Sequence, residues 1–588
     1  MTIDTHQKKI VPETSKDFKP TDGYIQKSSA IIKDYINQSN WRVKENSNTS
    51  YSIQGLNDHL NQYDCALYWL YEVYDKDIRE THMKGDFHIH DLGYLTAYCA
   101  GWSLQDLLMK GFGGVRGKIK SRPPKHFSSA LGQIWNFFYT MQGESAGAQA
   151  FSSFDTYLAP FIYYDKLSYK QVEDAMEEFI YNMNVPTRAG FQTPFTNITM
   201  DLQCPSTLKD QYAIVGGVPM DKKYSEFQKE MDTLNKAFCK VMLNGDASQR
   251  IFSFPIPTYN ITKDFNWENE NLELLWKMTA KYGLPYFANY CNSDLDPNDA
   301  TSMCCRLRID RTKLDKRGGG LFGSNPLTGS IGVVTINMPR LGYLSNSKKD
   351  FFARLENLMD LAARSLIMKR KFIEEKTNED LYPYIKLYLE DIKKRTGSYW
   401  TNHFNTIGLV GMNECCLNFM NKDITHHSSQ EFTKEVLNFM RDKMVVYQQQ
   451  YNTPFNLEAT PAEGTSYKLA KYDSEKYKNI ITAGTQDNPY YTNSSQIGVD
   501  MMGDLFNDLK HQDGLQTLYT GGTVFHIYMG EIIDDPNSVK VLLKKICNTF
   551  AIPYISFTPT FSICPTCGLI SGEHEFCTNC IESNEESE

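Results

Sequence analysis

The chain has 588 residues, of which 41% are apolar and 22% charged, and its net charge is −9 with a pI near 5.8. This length predicts a large folded body with appendages rather than one small core. The acidic balance argues against non-specific nucleic-acid binding, which needs a basic face. No apolar run is long enough to span a bilayer, and the first twenty residues lack the apolar core of a signal peptide. We therefore expect a cytoplasmic protein that neither enters a membrane nor binds nucleic acid directly.

The sequence divides into three parts by composition. Residues 1–25 are polar and are interpreted as an N-terminal arm. In residues 26–555, one-sided helical patterns alternate with short β-branched runs, which predicts an α/β body with its ligand site at strand ends. Residues 556–588 form a cysteine-bearing segment with the acidic tail ESNEESE. Helices are predicted at 224–244, 352–371 and 432–448, and buried parallel strands at 331–336, 456–460 and 523–528.

Four cysteines near the end of the chain have the spacing of a metal site. They follow the pattern C-x2-C-x9-C-x2-C, in which each pair grips one ion from a tight turn and two pairs complete a tetrahedral thiolate shell. With all four positions filled, the predicted zinc ion is structural. Four unrelated thiols of a reducing compartment are the alternative. The predicted ligands are Cys564, Cys567, Cys577 and Cys580.

Two adjacent cysteines stand in the middle of the chain. Cys304 and Cys305 lie among Asp, Asn and Ser residues and precede a glycine-rich stretch at 318–323 and a predicted buried strand. Adjacent cysteines do not easily bridge to each other. A thiol on such a loop suits a reactive group that enters a cavity, but two thiols that fill a core give the same pattern. The residues themselves leave both interpretations open.

Two histidines are candidates for a cavity lining. His88 and His90 alternate along a predicted strand, so both side chains point to the same face. A His-x-His pattern at a strand end is just as often structural, and this alternative stays open.

The segment FNLEATPAEGTS, residues 455–466, predicts a strand that runs into the start of a helix. Thr460 suits the N-cap, Pro461 the first helical position and Glu463 the third, as in a capping box. The N–H groups at such a start can cradle a phosphate, and ordinary capping is the alternative. A second glycine turn precedes the strand predicted at 523–528. The candidate phosphate-binding residues are Thr460, Ala462, Glu463, Gly464, Thr465, Ser466, Gly521 and Gly522.

Five strings of the sequence carry a resemblance to a known family: SMCCRLRID, GGLFGSNPLTGSIGVVTIN, GLVGMNE, FNLEATPAEGTS and FTPTFSICPTCG. Together they resemble anaerobic (class III) ribonucleoside-triphosphate reductases, which are glycyl radical enzymes, over about residues 50–580. The resemblance implies a ten-stranded α/β barrel of two five-stranded half-sheets with an internal finger loop. It also implies a homodimer, nucleoside triphosphate substrates, and dNTP or ATP effectors bound near residues 100–160.

The same resemblance implies roles for three residues. Cys304 would become a thiyl radical that takes the 3′-hydrogen of the ribose, and Cys99 would be the second thiol that helps to reduce the sugar. Asn325 matches an asparagine of the members that use formate as co-substrate. A thioredoxin-like dithiol is the alternative reductant. The regions around Thr460 and Gly521 would surround the substrate.

The sequence also departs from the family. Its members keep the radical on a glycine in an Arg-x-x-Gly-Tyr-like motif soon after the last zinc cysteine, whereas this sequence ends eight residues after Cys580 without another glycine. The look-alike Arg395–Tyr399 is predicted to be a helix end. A separate glycyl radical polypeptide, a removed segment and a defective protein are the three explanations. We expect the first, with an iron–sulfur, S-adenosylmethionine-dependent activating enzyme as a further partner.

Two other classes of function compete with this interpretation. A glycyl radical enzyme of the pyruvate formate-lyase type also carries adjacent cysteines, but lacks the paired knuckles and the FNLEATPAEGTS string. A non-catalytic zinc-ribbon protein would leave the large α/β body unexplained and would favour a basic surface.

Overall fold

The computed structural model describes most of the chain between residues 28 and 580. The described residues are 28–37, 51–248, 250–292, 300–302, 308–310, 327–460, 462–529, 533–564, 568–572, 577 and 580. Among these, no helix combines the length and the apolarity that a bilayer span needs.

The helices flank a large sheet and connect most of its strands. They are α1 (Ser28–Asn37), α2 (Ile53–Tyr68), α3 (Lys76–Lys84), α4 (Leu104–Lys110), α5 (Phe127–Met141), α6 (Phe154–Tyr164), α7 (Tyr169–Met183), α8 (Ser206–Lys209), α9 (Gln228–Asn244), α10 (Glu273–Tyr282), α11 (Met338–Leu344), α12 (Lys348–Asn378), α13 (Pro383–Tyr388), α14 (Glu390–Thr396), α15 (Met412–Met420), α16 (His427–Tyr451), α17 (Glu463–Lys476), α18 (Leu505–Gln516) and α19 (Pro536–Thr549).

In the part of the chain that the structure describes, the strands form one large mixed sheet and four small antiparallel pairs. They are β1 (Phe87–Ile89), β2 (Cys99–Trp102), β3 (Gln149–Phe151), β4 (Thr196–Met200), β5 (Tyr212–Val215), β6 (Val218–Lys223), β7 (Ile256–Ile261), β8 (Tyr286–Asn289), β9 (Ala300–Ser302), β10 (Arg308–Asp310), β11 (Thr328–Asn337), β12 (His403–Val410), β13 (Phe455–Glu458), β14 (Ala483–Gly484), β15 (Pro489–Tyr490), β16 (Phe525–Tyr528), β17 (Tyr554–Thr558), β18 (Phe561–Cys564) and β19 (Gly568–Ser571).

The large sheet has the order β13-β12-β11-β2-β3-β4-β7-β8-β17-β16, and β1 pairs with β11 beside this path. Strands β2, β3, β4, β7 and β8 run parallel to one another and form the first strand group. Strands β11, β12 and β13, together with the parallel pair β16 and β17, form the second strand group. The two groups meet antiparallel at β2–β11 and at β8–β17.

The two outermost strands of this order approach each other. The N–H of Gly521 donates to the carbonyl of Leu457 at 2.7 Å, and the N–H of Ala459 donates to the carbonyl of Gly522 at 2.8 Å. The chain that enters β16 is therefore bonded to the end of β13.

The structure confirms the predicted helices and strands and corrects one helix start. The three predicted helices correspond to α9, α12 and α16, and the three predicted strands to β11, β13 and β16. Strands β13 and β16 pair in parallel as predicted, whereas β11 is parallel to β12 but antiparallel to β1 and β2. Gly397 ends α14 with φ +85°, as predicted for a helix stop. The capping box at Thr460 is wrong, because α17 begins at Glu463 and its N-cap Ala462 offers no side-chain bond.

A buried ion pair fixes α17 against the second strand group. Arg340, 2% exposed, donates from Nε to Oδ1 of Asp473 at 2.6 Å, and Asp473 is fully buried in α17. Asn337, the last residue of β11, donates to Oδ2 of the same carboxylate at 2.9 Å, and the Tyr491 hydroxyl donates to it at 2.7 Å. Arg340 also reaches Asp86, just before β1, at 3.0 Å. One guanidinium thus ties α17, β11 and β1 together.

The substitution Asp473→Asn should destabilise the fold strongly, because it leaves the buried guanidinium of Arg340 without its main counter-charge. We expect the free energy of unfolding to fall by about 3 kcal/mol or more, as measured by urea denaturation. Glu475→Gln removes an exposed carboxylate from the same helix and should change it by less than about 0.5 kcal/mol. Equal stability of both variants would contradict this account.

Candidate active site

The two faces of the large sheet differ in chemistry. Residues opposite each other on paired strands point to the same side, so the strand register separates one set of side chains from the other. The outer set, such as Val334, Ile336, Ile407 and Leu409, packs in the main hydrophobic core with the helices. The other set, which we call the inner face, is largely polar. Its polar members include His88, Cys99, Asn197, Thr199, Thr258, Asn260, Thr328, Ser330, Thr335, Thr406, Asn456, Glu458, His526, Ser556 and Thr558.

Cys99 begins a polar row that crosses the inner face. It pairs with Ser330 of β11, whose hydroxyl lies 2.8 Å from that of Thr406 on β12. Thr406 pairs with Asn456 of β13, and a Cβ at Gly521 would lie 3.0 Å from Nδ2 of Asn456. Cys99 is 1% exposed. Its thiol therefore belongs to a buried polar surface. A small side chain of this kind could also have filled the apolar core, but Cys99 lies outside that core.

A second polar row lies nearer the carboxyl ends of β11 and β12. His88 pairs with Thr335, and Nε2 of His90 lies 2.8 Å from the Thr335 hydroxyl. Thr335 pairs with Gly408, where a Cβ would come within 1.9 Å of the Thr460 hydroxyl oxygen. A side chain at Gly408 would therefore displace Thr460. The register thus places His88, His90 and Thr460 around Thr335 and Gly408, and a role for them in lining a substrate cavity stays a prediction.

Several inner-face groups are buried among the described residues without a hydrogen-bond partner there. Both Oδ1 and Nδ2 of Asn456, which is 1% exposed, lack one, as do Oγ1 of Thr460 and Oδ1 of Asn197. A buried polar group without a partner costs about 1–3 kcal/mol. Such groups are therefore expected to meet a polar ligand or water. The alternation in FNLE, with Asn456 and Glu458 on one face, could have revealed this set from the sequence.

The histidines of the site are held neutral. Burial, followed by the charges of Lys369 and Lys468, lowers the pKa of His90 to about 3. Burial also holds the pKa values of His88 and His82 well below the ordinary range, with the charges of His90 and Lys468 as further causes. The N–H of Ile89 donates to Nδ1 of His82 at 3.1 Å. Each neutral imidazole offers one N–H donor and one nitrogen acceptor, but it supplies no positive charge at neutral pH.

The predicted phosphate segment follows β13 into α17. Ala462, Thr465 and Ser466 are buried, Gly464 is half-buried, and Glu463 is exposed. The Ser466 hydroxyl is already engaged with both backbone groups of Tyr491. Pro461 lies outside the described residues. The groups of this segment that remain available to bind a phosphate are the N–H groups of the first helical turn, which lack acceptors within the helix.

Other predicted site residues are only partly described. Cys304 and Asn325 lie outside the described residues, as does Cys567. Cys577 and Cys580 are half-buried, and the N–H of Cys580 donates to Sγ of Cys577 at 3.3 Å. In the backbone, Cys564 pairs with Gly568 at the end of the β18–β19 hairpin.

A family model for anaerobic ribonucleoside-triphosphate reductase matches residues 45–588. The chain belongs to this family. Its function is therefore that of an anaerobic ribonucleoside-triphosphate reductase, an oxidoreductase, which confirms the resemblance drawn from the five strings.

Individual relatives of the reductase have low sequence identity to it, but their alignments cover most of both chains. It is 22% identical to the anaerobic ribonucleoside-triphosphate reductase of Haemophilus influenzae, over 93% of this chain and 78% of that protein. Its identity to the enzyme of Enterobacteria phage T4 is also 22%, over 84% and 82%. A crystal structure of the Thermotoga maritima anaerobic ribonucleotide reductase with dATP in the specificity site superposes with a TM-score of 0.74, at 19% identity, over 98% and 94%. This likeness shows a shared α/β fold with a large mixed sheet.

The low pKa of His90 predicts how the stability of the reductase depends on pH. Unfolded histidine takes up a proton below about pH 6.5, whereas folded His90 remains neutral down to about pH 3. The stability contributed by neutral His90 is thus present above pH 6.5 and is lost as the pH falls. We expect His90→Gln to reduce the slope of unfolding free energy between pH 6 and 5 by about 1.4 kcal/mol per pH unit.

Thr335→Val provides the control for this measurement, because it removes the hydroxyl beside His90 without removing an ionisable group. Its slope should match that of the unsubstituted protein in urea denaturation at each pH. A His90→Gln variant with an unchanged slope would contradict the assignment.

Proposed function

We propose that the reductase works by thiyl radical chemistry with Cys304 as the radical thiol and Cys99 as the second thiol. The observation that carries this proposal is the position of Cys99, buried in a polar row of the inner face beside Ser330 and Thr406. A glycyl radical, installed by an iron–sulfur, S-adenosylmethionine-dependent activating enzyme, would supply the unpaired electron. The sulfur of Cys304 then takes the 3′-hydrogen of the ribose, and the 2′-hydroxyl leaves as water.

The substrate would lie between the two polar rows. Asn456 and Thr460 offer buried polar atoms that lack partners among the described residues, and such atoms suit the hydroxyl groups of a ribose. The first turn of α17 and the turn at Gly521 and Gly522 would hold the triphosphate through backbone N–H groups. Since His88 and His90 are neutral, they would orient the sugar without attracting the phosphates.

Formate is the reductant that we propose, with Asn325 as its neutral amide donor. The overall reaction then balances: the ribonucleotide, formate and a proton give the deoxyribonucleotide, carbon dioxide and water. The carbon of formate is oxidised and the 2′-carbon of the sugar is reduced.

We also propose that the large sheet closes into a ten-stranded barrel around this site. Five strands run one way in the first strand group and five the other way in the second. The bonds of Gly521 and Ala459 at the free edges support closure between β13 and β16. An experimental structure in which solvent separates these two strands would contradict it.

The four cysteines near the C-terminus are proposed to hold one structural zinc ion. The bond from the Cys580 N–H to the Cys577 sulfur, and the tight hairpin at Cys564, suit the two knuckles of such a site. Elemental analysis that finds well under one zinc per chain would contradict this. For the effectors we propose dNTP or ATP binding near residues 100–160, at the interface of a homodimer.

The variants Cys304→Ser and Cys99→Ser should each abolish deoxynucleotide formation in an anaerobic assay that supplies the glycyl radical. A hydroxyl does not readily form the oxygen radical that this chemistry would need, so a loss of at least about 10³-fold is expected. Both variants should still gain thermal stability with nucleoside triphosphate, because neither thiol holds the phosphates.

Cys239→Ser is the matched control, since Cys239 is a buried thiol that bonds Tyr259 at 3.4 Å in the outer layer. It should remain active. Activity of Cys304→Ser would show that the radical thiol has been chosen wrongly, whereas loss of nucleotide stabilisation in either variant would point to misfolding.

Formate dependence is tested with carbon-labelled formate. We expect one labelled carbon dioxide for each deoxynucleotide made, and Asn325→Ala should raise the formate concentration needed for half-maximal rate by at least about tenfold. Turnover without formate in the presence of a dithiol would instead support the thioredoxin-like donor.

A further inference from the structure

Two cysteines that have no part in the proposed chemistry are held close together on the outer side of the sheet. Cys291 follows β8 by two residues, and Cys547 lies in the last turn of α19. The two thiols lie close enough to influence each other's ionisation, and the Cys291 thiol also donates to the carbonyls of Thr262 and Ile261 at 3.3 and 3.7 Å. Neither is in a disulfide in the structure.

The backbone around the two thiols is fixed by amide bonds on both sides. Asn289 donates from Nδ2 to the carbonyls of Phe550 and Ile552 at 3.0 and 3.1 Å, and its N–H donates to that of Pro553 at 2.9 Å. Asn292 donates to the carbonyl of Thr549 at 3.3 Å. Cys291 is therefore bracketed by two asparagines that bind the chain just after Cys547.

The two thiols differ in exposure and in pKa, as do the attacking thiol and the resolving thiol of a pair that forms a disulfide. Cys291 is half-buried, so that a small oxidant can reach it, whereas Cys547 is fully buried. The neighbouring Cys547 thiol lowers the pKa of Cys291, while the Cys291 thiol and burial hold the pKa of Cys547 well above its ordinary range. The thiolate is the nucleophile in disulfide exchange.

We propose that Cys291 and Cys547 form a reversible disulfide, and that this pair is a redox modification site of the protein. The oxidant is a small-molecule disulfide. The Cys291 thiolate attacks one sulfur of the oxidant, which releases one thiol and leaves a mixed disulfide. The Cys547 thiol then attacks the Cys291 sulfur and releases the second thiol. Two protein thiols are oxidised, and one disulfide is reduced to two thiols.

The position of the pair gives this disulfide a structural consequence. The antiparallel junction between β8 and β17 has only two registered pairs, Ala288 with Tyr554 and Phe287 with Ile555. A bond from Cys291 to Cys547 would add a covalent link beside this junction. It would join the first strand group to the helix that leads into β17.

The test treats the intact protein, without air, with oxidised glutathione and maps its peptides without reduction. We expect the peptides that contain Cys291 and Cys547 to appear as one cross-linked species, two hydrogen atoms lighter than the pair, and to separate after dithiothreitol. The oxidised protein should melt about 5 °C higher than the reduced one.

Three variants separate the possible outcomes. Cys547→Ser should accumulate a glutathione adduct on Cys291, Cys291→Ser should form neither product, and Cys239→Ser should form the cross-link as the parent does. If glutathione stays on Cys291 of the unsubstituted protein, or if both thiols remain open to alkylation after oxidation, the proposal is overturned. The mapping of the unsubstituted protein decides the question even where a variant fails to fold.

Discussion

The contact between the Arg340 guanidinium and the Asp473 carboxylate is the constraint on which the site depends. It fixes α17 over the carboxyl ends of the second strand group and, through Asn337 and Asp86, holds β11 and β1 in the same arrangement. Buried ion pairs are weak sources of net stability but costly to break. The main effect of this ion pair is to fix positions, because a carboxylate that accepts hydrogen bonds from three side chains has few alternative positions. The start of α17 is therefore kept in a constant position relative to His88 in β1 and to His90 just after it.

This constraint matters because the inner face stabilises the fold poorly. The polar side chains in the row from Cys99 to Asn456 gain no stabilisation from burial of apolar surface. The side chains on the opposite face of the same strands do, because they pack in the main core. On the opposite side, α12 packs against β11 and β12, and α16 packs against β13. The fold thus separates its two tasks by strand face: one face stabilises, and the other is available for chemistry.

The sequence predicted the elements that local physics determines. The run IGVVTI in β11 was long and β-branched enough to indicate a buried parallel strand, and Gly397 stopped its helix through its positive φ. The start of α17 was wrong because Thr460 lies just after β13, where its hydroxyl packs over Gly408, a contact between residues 52 positions apart. Thr335 and Thr406 were missed for the same reason, since each acquires its role only from strand register. For Asn456, the alternation in FNLE was an available signal. The roles of Cys304 and Asn325 came from the family strings alone, and they remain predictions.

The antiparallel meeting of the two strand groups has a consequence for access. In each group the carboxyl ends of the strands gather at one rim of the sheet, and because the groups run in opposite directions those rims are on opposite sides. Ligands of parallel sheets bind beyond carboxyl ends. The carboxyl ends of β4 and β7 therefore lie at the rim opposite to those of β11, β12 and β13, so the sheet offers ligands two separate edges of this kind.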